Sequence, residues 1–457
     1  MLNQTFSLKN FEEIYDLDSR AGKNNDADFF PAVATISKRI QTRSRALKAF
    51  KERQRKLYHR YPNGIQNRFD RLKANILKER RKKDNQVTEE LQRISKQTTS
   101  KGFTISLNQR TRAGKFIYSI PPTSPAPYYA IRQISRNIRS LYKIRPANRD
   151  EIVPHVVNLM SDGFPYFVVR TDISQFFESI PHDSLLRTIQ SDRLVSTTTS
   201  KFIKQILYSY STLSGTGKMG IPRGLGLSSD LAELFMRRID ERISQHPNVV
   251  FYARYVDDII VFFAPTLATK EADFRALVRD SISENGLSQN PRKTEHFTVS
   301  ERVRAFDYLG YRFSRANKQT TIEISDNRLA KMKSRVSASV KAFEREKVNN
   351  SKAAYRILLK RLKFLTGNTQ LNNTKQNAYV GAYFSNRFIN DLTRLEQLDA
   401  HLGTETSALP PSLLRKIAGL SFKSGFQERT FHRFNRRRIF GAKDDFTKIV
   451  EVWKHAE

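Results

Sequence analysis

Three aspartates in this sequence could share one chemical task. Asp172 ends an apolar run, FVVRTD, and Asp257 and Asp258 lie between the apolar arms of VVFYARYVDDIIVFF. Ionised carboxylates beside apolar strands are costly unless cations or hydrogen bonds compensate them, and converging carboxylates repel each other. A divalent metal ion bound among them would relieve both costs. Because the chain has no cysteine, the ligands of any metal must be oxygen atoms or histidines.

The runs around these acids predict neighbouring strands of one sheet. YVDD is typical of a β-hairpin whose tight turn is made by the acids themselves, since Asp tolerates turn conformations that β-branched residues avoid. The stretches LLRTIQSDRL and DLAELFMRRIDERI carry helical apolar spacing, without a regular alternation of strand and helix. The fold class predicted is therefore α+β, an antiparallel sheet covered by helices.

The composition predicts a polyanionic partner. Lys and Arg number 80 against 45 Asp and Glu, for a net charge of +35, and nucleic acid and anionic membrane are the two candidates. Between Lys38 and Lys83 there are 18 basic residues and 3 acids at helical apolar spacing. We interpret this stretch as a nucleic-acid surface, the alternative being a solvated helix face. No apolar run reaches the roughly 18 residues that cross a bilayer, and no signal peptide is recognisable, so we expect a cytoplasmic protein without a membrane partner.

For the remaining segments the sequence predicts only secondary structure. Strand-like runs, FTISL and KFIYSI, precede PPTSPAP, whose prolines predict an irregular loop. Helices are predicted from Tyr129 to Leu141, through EIVPHVVNLMSDG, and in a long stretch after Asp326. The last part of the chain is also expected to be mostly helical.

Five consecutive blocks resemble the reverse transcriptase family. They lie between Phe167 and Phe313 and read TDISQFF, GIPRGLGLSSDLAELF, ARYVDD, NGLSQNPRKTEHF and FDYLGYRF. The resemblance implies a right-hand polymerase that makes DNA from dNTPs on an RNA template, with two Mg²⁺ ions, for which Mn²⁺ can substitute. The domains expected are a basic helical N-terminal extension (1–100), fingers (101–165), palm (166–323), helical thumb (324–370) and a helical C-terminal region (371–457).

The resemblance also implies roles for the residues of the first, third and fourth blocks. Asp172, Asp257 and Asp258 are the expected catalytic residues. Together with the backbone carbonyl of Ile173 they are also the expected metal ligands. Lys293 matches a lysine that approaches the leaving phosphates, the alternative being an ordinary surface lysine.

Selection of the nucleotide is expected to depend on the first and second blocks. Phe177 matches the aromatic residue that abuts the sugar and excludes a ribonucleotide, although plain core packing is the alternative. Gly224 is expected to allow close backbone approach to the nucleotide. Arg223 stands where the family commonly has Gln, so its contact with nucleotide or template is open.

The fifth block and the segment before the palm supply further candidates. Tyr308, Leu309 and Gly310 resemble the primer grip beneath the primer end. Cations of the fingers that could contact phosphate, or merely be solvated, are Lys143, Arg145 and Arg149.

Absence of cysteine and of further acid clusters on strands disfavours intron maturases with a Cys-bearing endonuclease and retroviral enzymes with a nuclease. The chain resembles stand-alone bacterial enzymes of the defence-associated and abortive-infection groups, including the type-three system of two enzymes. This implies antiviral defence, a structured noncoding RNA as template, a DNA product, and a companion reverse transcriptase or homo-oligomer. The alternatives are an RNA-dependent RNA polymerase, a silent RNA-binding scaffold, and a template-independent or protein-primed DNA polymerase.

Overall fold

A computed structural model divides the chain into two compact units. The first combines Met1–Arg145 with Phe177–Met236, and the second combines Pro146–Phe176 with Arg237–Glu457. Each unit is therefore assembled from two separate stretches of sequence. The residues described are 2–23, 25–54, 62–112, 114–121, 124–145, 147–300, 302–371, 378–429, 432–434 and 449–455.

Helices and mainly antiparallel strands make up both units, which confirms the predicted α+β class. The α-helices of the described residues are, in chain order, α1 Leu8–Arg20, α2 Asn25–Phe29, α3 Pro31–Gln54, α4 Pro62–Thr99, α5 Pro125–Leu141, α6 Arg149–Ser161, α7 Phe176–Ser179, α8 His182–Asp192, α9 Thr197–Ser214, α10 Gly226–Ser244, α11 Glu271–Ser283, α12 Asp326–Thr366, α13 Ala382–Asn386, α14 Thr393–Thr406, α15 Pro411–Ile417 and α16 Phe422–Glu428. The strands are β1 Asn108–Arg112, β2 Lys115–Ser119, β3 Phe167–Asp172, β4 Val249–Tyr255, β5 Asp258–Phe263, β6 Glu295–Thr298, β7 Val303–Tyr308, β8 Tyr311–Ala316, β9 Gln319–Ile324, β10 Asn368–Leu371, β11 Ala378–Gly381 and β12 His432–Phe434.

The N-terminal part of the first unit is a pair of long helices, α3 and α4, packed against each other. They confirm the helices predicted between Lys38 and Lys83, of which residues 55–61 lie outside the described part. Basic side chains dominate their exposed faces, as the sequence predicted.

Helix α5 forms the core of the first unit. Ala130, Ile134 and Ile138 recur every fourth residue and are fully buried, as expected for one face of a helix. The helix begins at Pro125, earlier than predicted, so the prolines of PPTSPAP do not all lie in an irregular loop. The reason is that a proline in the first turn lacks only an N–H that would have no helical partner there.

A four-stranded antiparallel sheet lies at the centre of the second unit. Its strand order is β4-β5-β3-β6, so the Asp172 strand pairs directly with the strand that follows the YVDD turn. Phe167, Val168 and Val169 of β3 are all buried, which explains why this strand is continuously apolar.

The rest of the second unit consists of two small sheets and the C-terminal helices. Strands β7, β8 and β9 form one antiparallel sheet, and β10 pairs antiparallel with β11 and parallel with β12. Helix α12 confirms the long helix predicted after Asp326 and has a kink at Asn350. The C-terminal region, expected to be mostly helical, also contains strands β11 and β12. Residues 372–377, 430–431, 435–448 and 456–457 of this region lie outside the described part. Every helix among the described residues is too short or too polar to cross a lipid bilayer.

A buried acid, Asp18, fastens α1 to α5 inside the first unit. Its fully buried carboxylate accepts hydrogen bonds from the Tyr128 hydroxyl (2.7 Å), Arg132 Nη2 (2.7 Å) and Asn25 Nδ2 (3.2 Å), with Lys23 Nζ 3.1 Å away. Burial alone would raise the pKa of Asp18. The hydroxyl and the two cations outweigh burial and hold the pKa below its ordinary value.

We predict that Asp18→Asn lowers the free energy of unfolding by roughly 3 kcal/mol, because it leaves Arg132 and Lys23 without their buried partner. Asp16→Asn, at an exposed position of the same helix, is the matched control and should change it little. Since the folded pKa is lowered, the Asp18 contribution is present above the unfolded pKa of about 3.9 and is lost as the pH falls through the folded pKa. Urea denaturation of wild type and both variants at pH 7 and at a series of pH values below 4 measures this, and equal losses for the two variants at pH 7 would contradict it.

Candidate active site

Strand register brings Asp172 and Asp258 together. They are direct partners across the antiparallel pair β3–β5, so their side chains lie on the same face of the sheet. The side chains of Asp172 and Asp258 are only 11% and 20% exposed, respectively. Arg170, two residues before Asp172 on the same face, places Nη2 3.3 Å from Asp258 Oδ1.

Asp257 belongs to the two-residue turn between β4 and β5. Tyr255 pairs with Asp258, which leaves Val256 and Asp257 at the tip. The residue with left-handed backbone is Val256, with φ of 62°, so the expectation that the acids take the special turn conformation is wrong. A β-branched residue in this conformation is strained, and the surrounding contacts must hold it there.

Arg254 supplies that restraint. Its Nη1 donates to the Val256 carbonyl (2.8 Å), while Nε and Nη2 donate to the Asp240 carboxylate (2.8 and 2.7 Å). Because the arginine is buried and held in a bidentate ion pair, its position is fixed, and it fixes the turn in return.

Backbone hydrogen bonds attach two further segments to the three acids. The Ile173 N–H donates to the Asp257 carbonyl (3.1 Å), and the Asn290 N–H donates to the Asp172 carbonyl (2.7 Å). Ile173 also bridges to Gln289. The predicted metal ligand Ile173 and the segment that carries Lys293 are thus both fixed beside the acids.

Two cations of the second unit pair with the acids. Lys293 Nζ lies 2.9 Å from Asp172 Oδ2, so this half-exposed lysine forms an ion pair with Asp172. Burial, together with the negative charges of Asp172 and Asp257, outweighs the positive charges of Arg170 and Lys293 and raises the pKa of Asp258 to about 6. The site therefore carries more negative charge than its basic neighbours compensate.

The donor set fits a hard divalent cation in its chemistry. All the candidate ligands are oxygen atoms, and Asp258 Oδ1, although in an ion pair with Arg170, is buried and accepts no hydrogen bond among the described residues. In their present arrangement, however, no group of three or more acidic or histidine side chains within the described residues is set to hold a metal ion. The expected metal site is therefore supported by ligand type and charge but not by a preformed cluster.

Phe177 and Arg223 are in contact within the first unit. The Phe177 ring is half-buried, unlike its fully packed neighbour Phe176, and the Arg223 guanidinium lies 5.4 Å from the ring centroid. Arg223 is held by a bidentate contact with Glu178, at 2.9 Å for Nη2 to Oε1 and 3.2 Å for Nη2 to Oε2. A planar cation fixed above an aromatic ring is a rigid unit.

Gly224 makes a close backbone approach to β2, while its approach to a nucleotide stays a prediction. Its φ is 107°, and a Cβ at this position would lie 2.8 Å from the Tyr118 carbonyl oxygen. The Tyr118 N–H also donates to the Arg223 carbonyl (2.7 Å). No side chain larger than hydrogen fits here without moving β2.

The predicted primer grip is a tight hairpin in the second unit. Leu309 and Gly310 have φ of 49° and 80° between the paired residues Tyr308 and Tyr311, which is the pattern of a type I′ turn. Tyr308 is buried, and burial followed by the charge of Asp258 raises its pKa. Because the charge of Asp258 acts on the Tyr308 hydroxyl, Asp258 lies near the hairpin.

The three cations predicted to contact phosphate do not belong to one unit. Lys143 and Arg145 are exposed in the loop after α5. Arg149 begins α6 in the second unit, where its guanidinium lies 5.4 Å from the Tyr311 ring centroid. Contact of these residues with phosphate stays a prediction.

Sequence reasoning overlooked four residues of these sites. Arg170 could have been found, because a residue two positions before Asp172 in a strand shares its face. The other three residues could not have been found from the sequence. The contacts of Asn290, Asp240 and Glu178 each join two residues that no common periodicity links.

The fold and these contacts define a polymerase palm: acids on a strand end and on an adjacent hairpin turn of an antiparallel sheet. Residues 130–313 match the family described as "Reverse transcriptase (RNA-dependent DNA polymerase)". This match includes Asp172, Asp257, Asp258, Lys293 and the hairpin at 308–310, and it covers less than half of the chain.

Similarity to solved structures is low. Apo telomerase from Candida tropicalis is 14% identical, with a TM-score of 0.36 over 78% of this chain and 63% of that one. Telomerase from Candida albicans in complex with a fragment of telomeric RNA is 10% identical, with a TM-score of 0.36 over 77% and 64%. The chain thus spans less than two thirds of either telomerase, and at these scores the similarity does not bear on its function. No curated protein matches the chain in sequence.

The strained turn leads to a stability prediction. Val256→Gly should raise the free energy of unfolding by about 1 kcal/mol, because left-handed backbone costs a residue with a Cβ roughly 1–2 kcal/mol, offset in part by glycine's greater entropy when unfolded. Thr321→Gly, a half-buried β-branched residue of β9 without positive φ, is the control and should lower it. Thermal unfolding of both variants tests this, and destabilisation by Val256→Gly as large as that of the control would contradict it.

Proposed function

We propose that the chain is an RNA-directed DNA polymerase with Asp172, Asp257 and Asp258 as its catalytic carboxylates. The observation that carries this proposal is the register that pairs Asp172 with Asp258, inside the segment that matches the reverse transcriptase family. Asp257 is the adjacent turn residue, and its backbone is fixed by Ile173.

The reaction consists of attack by the primer 3′-hydroxyl on the α-phosphorus of a dNTP. A new P–O bond forms, the bond to pyrophosphate breaks, and the hydroxyl loses its proton. Asp172, Asp257, Asp258 and the Ile173 carbonyl would hold two Mg²⁺ ions, with Mn²⁺ as a substitute. When bound, these ions activate the hydroxyl and neutralise the leaving pyrophosphate. Lys293, which pairs with Asp172, would donate a proton to the leaving phosphates.

Selection of dNTPs is assigned to the first unit. The half-buried ring of Phe177 would abut the sugar and exclude a 2′-hydroxyl, and Arg223 and Glu178 hold that ring from one side. Gly224, the residue after Arg223, lets the loop that carries both residues lie against β2. Tyr308, Leu309 and Gly310 are assigned to the primer end, and Lys143, Arg145 and Arg149 to phosphates.

The partner proposed is a structured noncoding RNA, bound in part by exposed cations of α3 and α4. The predicted domains are retained as proposals: extension 1–100, fingers 101–165, palm 166–323, thumb 324–370 and C-terminal region 371–457. We further propose a role in the bacterial cytoplasm in antiviral defence, alone or with a companion reverse transcriptase or a second copy. This role is supported by the resemblance to stand-alone bacterial enzymes.

The activity is tested by purifying the full chain with its bound RNA and adding dNTPs and Mg²⁺. Wild type should make DNA complementary to that RNA, and Asp257→Asn or Asp258→Asn should reduce synthesis by at least about a thousandfold because metal binding is lost. Asp280→Asn, on the accessible surface of α11, is the matched control and should retain activity.

Sequencing the product separates the alternatives. Bound RNA without DNA synthesis would identify a silent scaffold, and DNA unrelated to the RNA would identify template-independent synthesis. Either result, or full activity of the two aspartate variants, would overturn the proposal.

Sugar selection has its own test. Phe177→Ala should gain incorporation of ribonucleotides, because the ring that occupies the space of the 2′-hydroxyl is removed. Arg223→Ala, which removes the cation that holds the ring but leaves the ring itself, is the graded comparison and should relax the preference for dNTPs less than Phe177→Ala does. Single-nucleotide extension with dNTP and NTP measures both, and a wild type that uses both sugars equally would show an RNA polymerase or an unselective one.

A further inference from the structure

An open groove of the first unit lies between the end of α8 and one face of α9. Its volume is about 790 Å³. Thr197, Lys201, Lys204 and Tyr208 line it at spacings of four, three and four residues, which places them along one side of α9. Arg193, just beyond α8, lines the opposite side. None of these residues has a role in the proposed polymerase site.

The groove is strongly basic. Arg193, Lys201 and Lys204 are exposed, and none of them pairs with an acid among the described residues. The side chains that line the groove in the described part include no Asp or Glu. Three unneutralised cations around one concave surface favour a polyanionic ligand.

Tyr208 adds an aromatic surface to these cations. It is 75% exposed, while Phe202, Ile206 and Leu207 on the other side of α9 are buried. The ring has no aromatic partner among the described residues, so its face is available to a ligand. A free ring one helical turn from Lys204 matches the combination of base stacking and phosphate contact that binds single strands.

The loop that carries Arg193 is already fixed. Gln4 Nε2 donates to the Leu194 carbonyl (2.9 Å), and the Ser196 N–H donates to Gln4 Oε1 (2.8 Å). Arg193 itself has left-handed backbone, with φ of 52°. The groove is therefore preformed, so little loop ordering opposes binding.

We propose that this groove binds a single-stranded segment of nucleic acid, separately from the polymerase site. The face from Thr197 to Tyr208 is about 16 Å long, enough for roughly two to four nucleotides. One base stacks on Tyr208, and the adjacent phosphates contact Lys201, Lys204 and Arg193. The site does not require that the chain synthesise DNA.

The absence of cysteine allows the groove to be monitored on its own. A fluorophore on Gln190→Cys, which lines the groove, reports binding there, and the same label on Ala268→Cys, in an exposed loop of the second unit, reports nonlocal effects. The full chain, freed of bound nucleic acid, is titrated with a ribo-oligouridylate, a deoxy-oligothymidylate and an abasic deoxyribose-phosphate oligomer, each of about 12 units. Polyglutamate serves as the acidic-peptide probe.

The expected result is a saturable signal at position 190 with both base-containing strands. Tyr208→Ala should weaken binding at least about fivefold, as loss of one stacked base predicts, whereas Tyr208→Phe should stay close to wild type. The abasic oligomer should bind wild type as weakly as the base-containing strands bind Tyr208→Ala. Comparison of the affinities for the ribo-oligouridylate and the deoxy-oligothymidylate then shows whether RNA or DNA is preferred.

Charge removal gives the second readout. Lys201→Ala with Lys204→Ala should reduce the salt dependence of binding at position 190. Lys9→Ala with Lys101→Ala removes the same charge from exposed positions outside the groove and should leave the salt dependence unchanged. Tighter binding of polyglutamate than of either strand would identify an acidic protein segment as the occupant. That result, or a signal insensitive to both Tyr208→Ala and the groove lysines, would overturn the proposal.

Discussion

Repulsion among three carboxylates is the constraint on which the second unit depends. The β3–β5 register sets Asp172 directly against Asp258 on largely buried strands, so water compensates little of their charge. Arg170 and Lys293 supply two positive charges against three negative ones. Burial of Asp258, with the charges of the other two acids added to it, outweighs these cations and raises the pKa of Asp258 to about 6. Keeping buried carboxylates only partly neutralised favours cation binding at a cost in stability, as is common in active sites.

The strained turn follows from the same constraint. To point two successive acids toward β3, the chain must reverse within two residues, and the first of these, Val256, takes a backbone conformation unfavourable to a β-branched residue. Arg254 holds this turn through the Val256 carbonyl, and Asp240 on α10 holds Arg254. The geometry of the acids thus depends on a helix that contributes no acid to the site.

The strands, the hairpin and most helices could be predicted from the sequence because apolar periodicity is local. The pairing of Arg223 with Glu178 could not, since 45 residues separate them and neither position is marked by pattern. The backbone of Val256 was mistaken for a different reason: residue preference assigned the turn to Asp, whereas register and the Arg254 contact decided it. The early start of α5 likewise reflects position within the helix rather than the presence of proline.

Distribution of charge connects the buried acids to the basic surface. Several acids of this chain are buried, and each forms an ion pair with one or more cations. Asp18 pairs with Arg132 and Lys23, and Asp230 pairs with Arg139. Acids used in this way anchor the helices but are not available to neutralise the exterior. Because Lys and Arg number 80 against 45 Asp and Glu, the exterior keeps an excess of lysine and arginine, on α3, on α4 and around the α8–α9 groove. Such a surface repels itself unless a polyanion covers it, and this repulsion is the physical basis of the nucleic-acid binding proposed above.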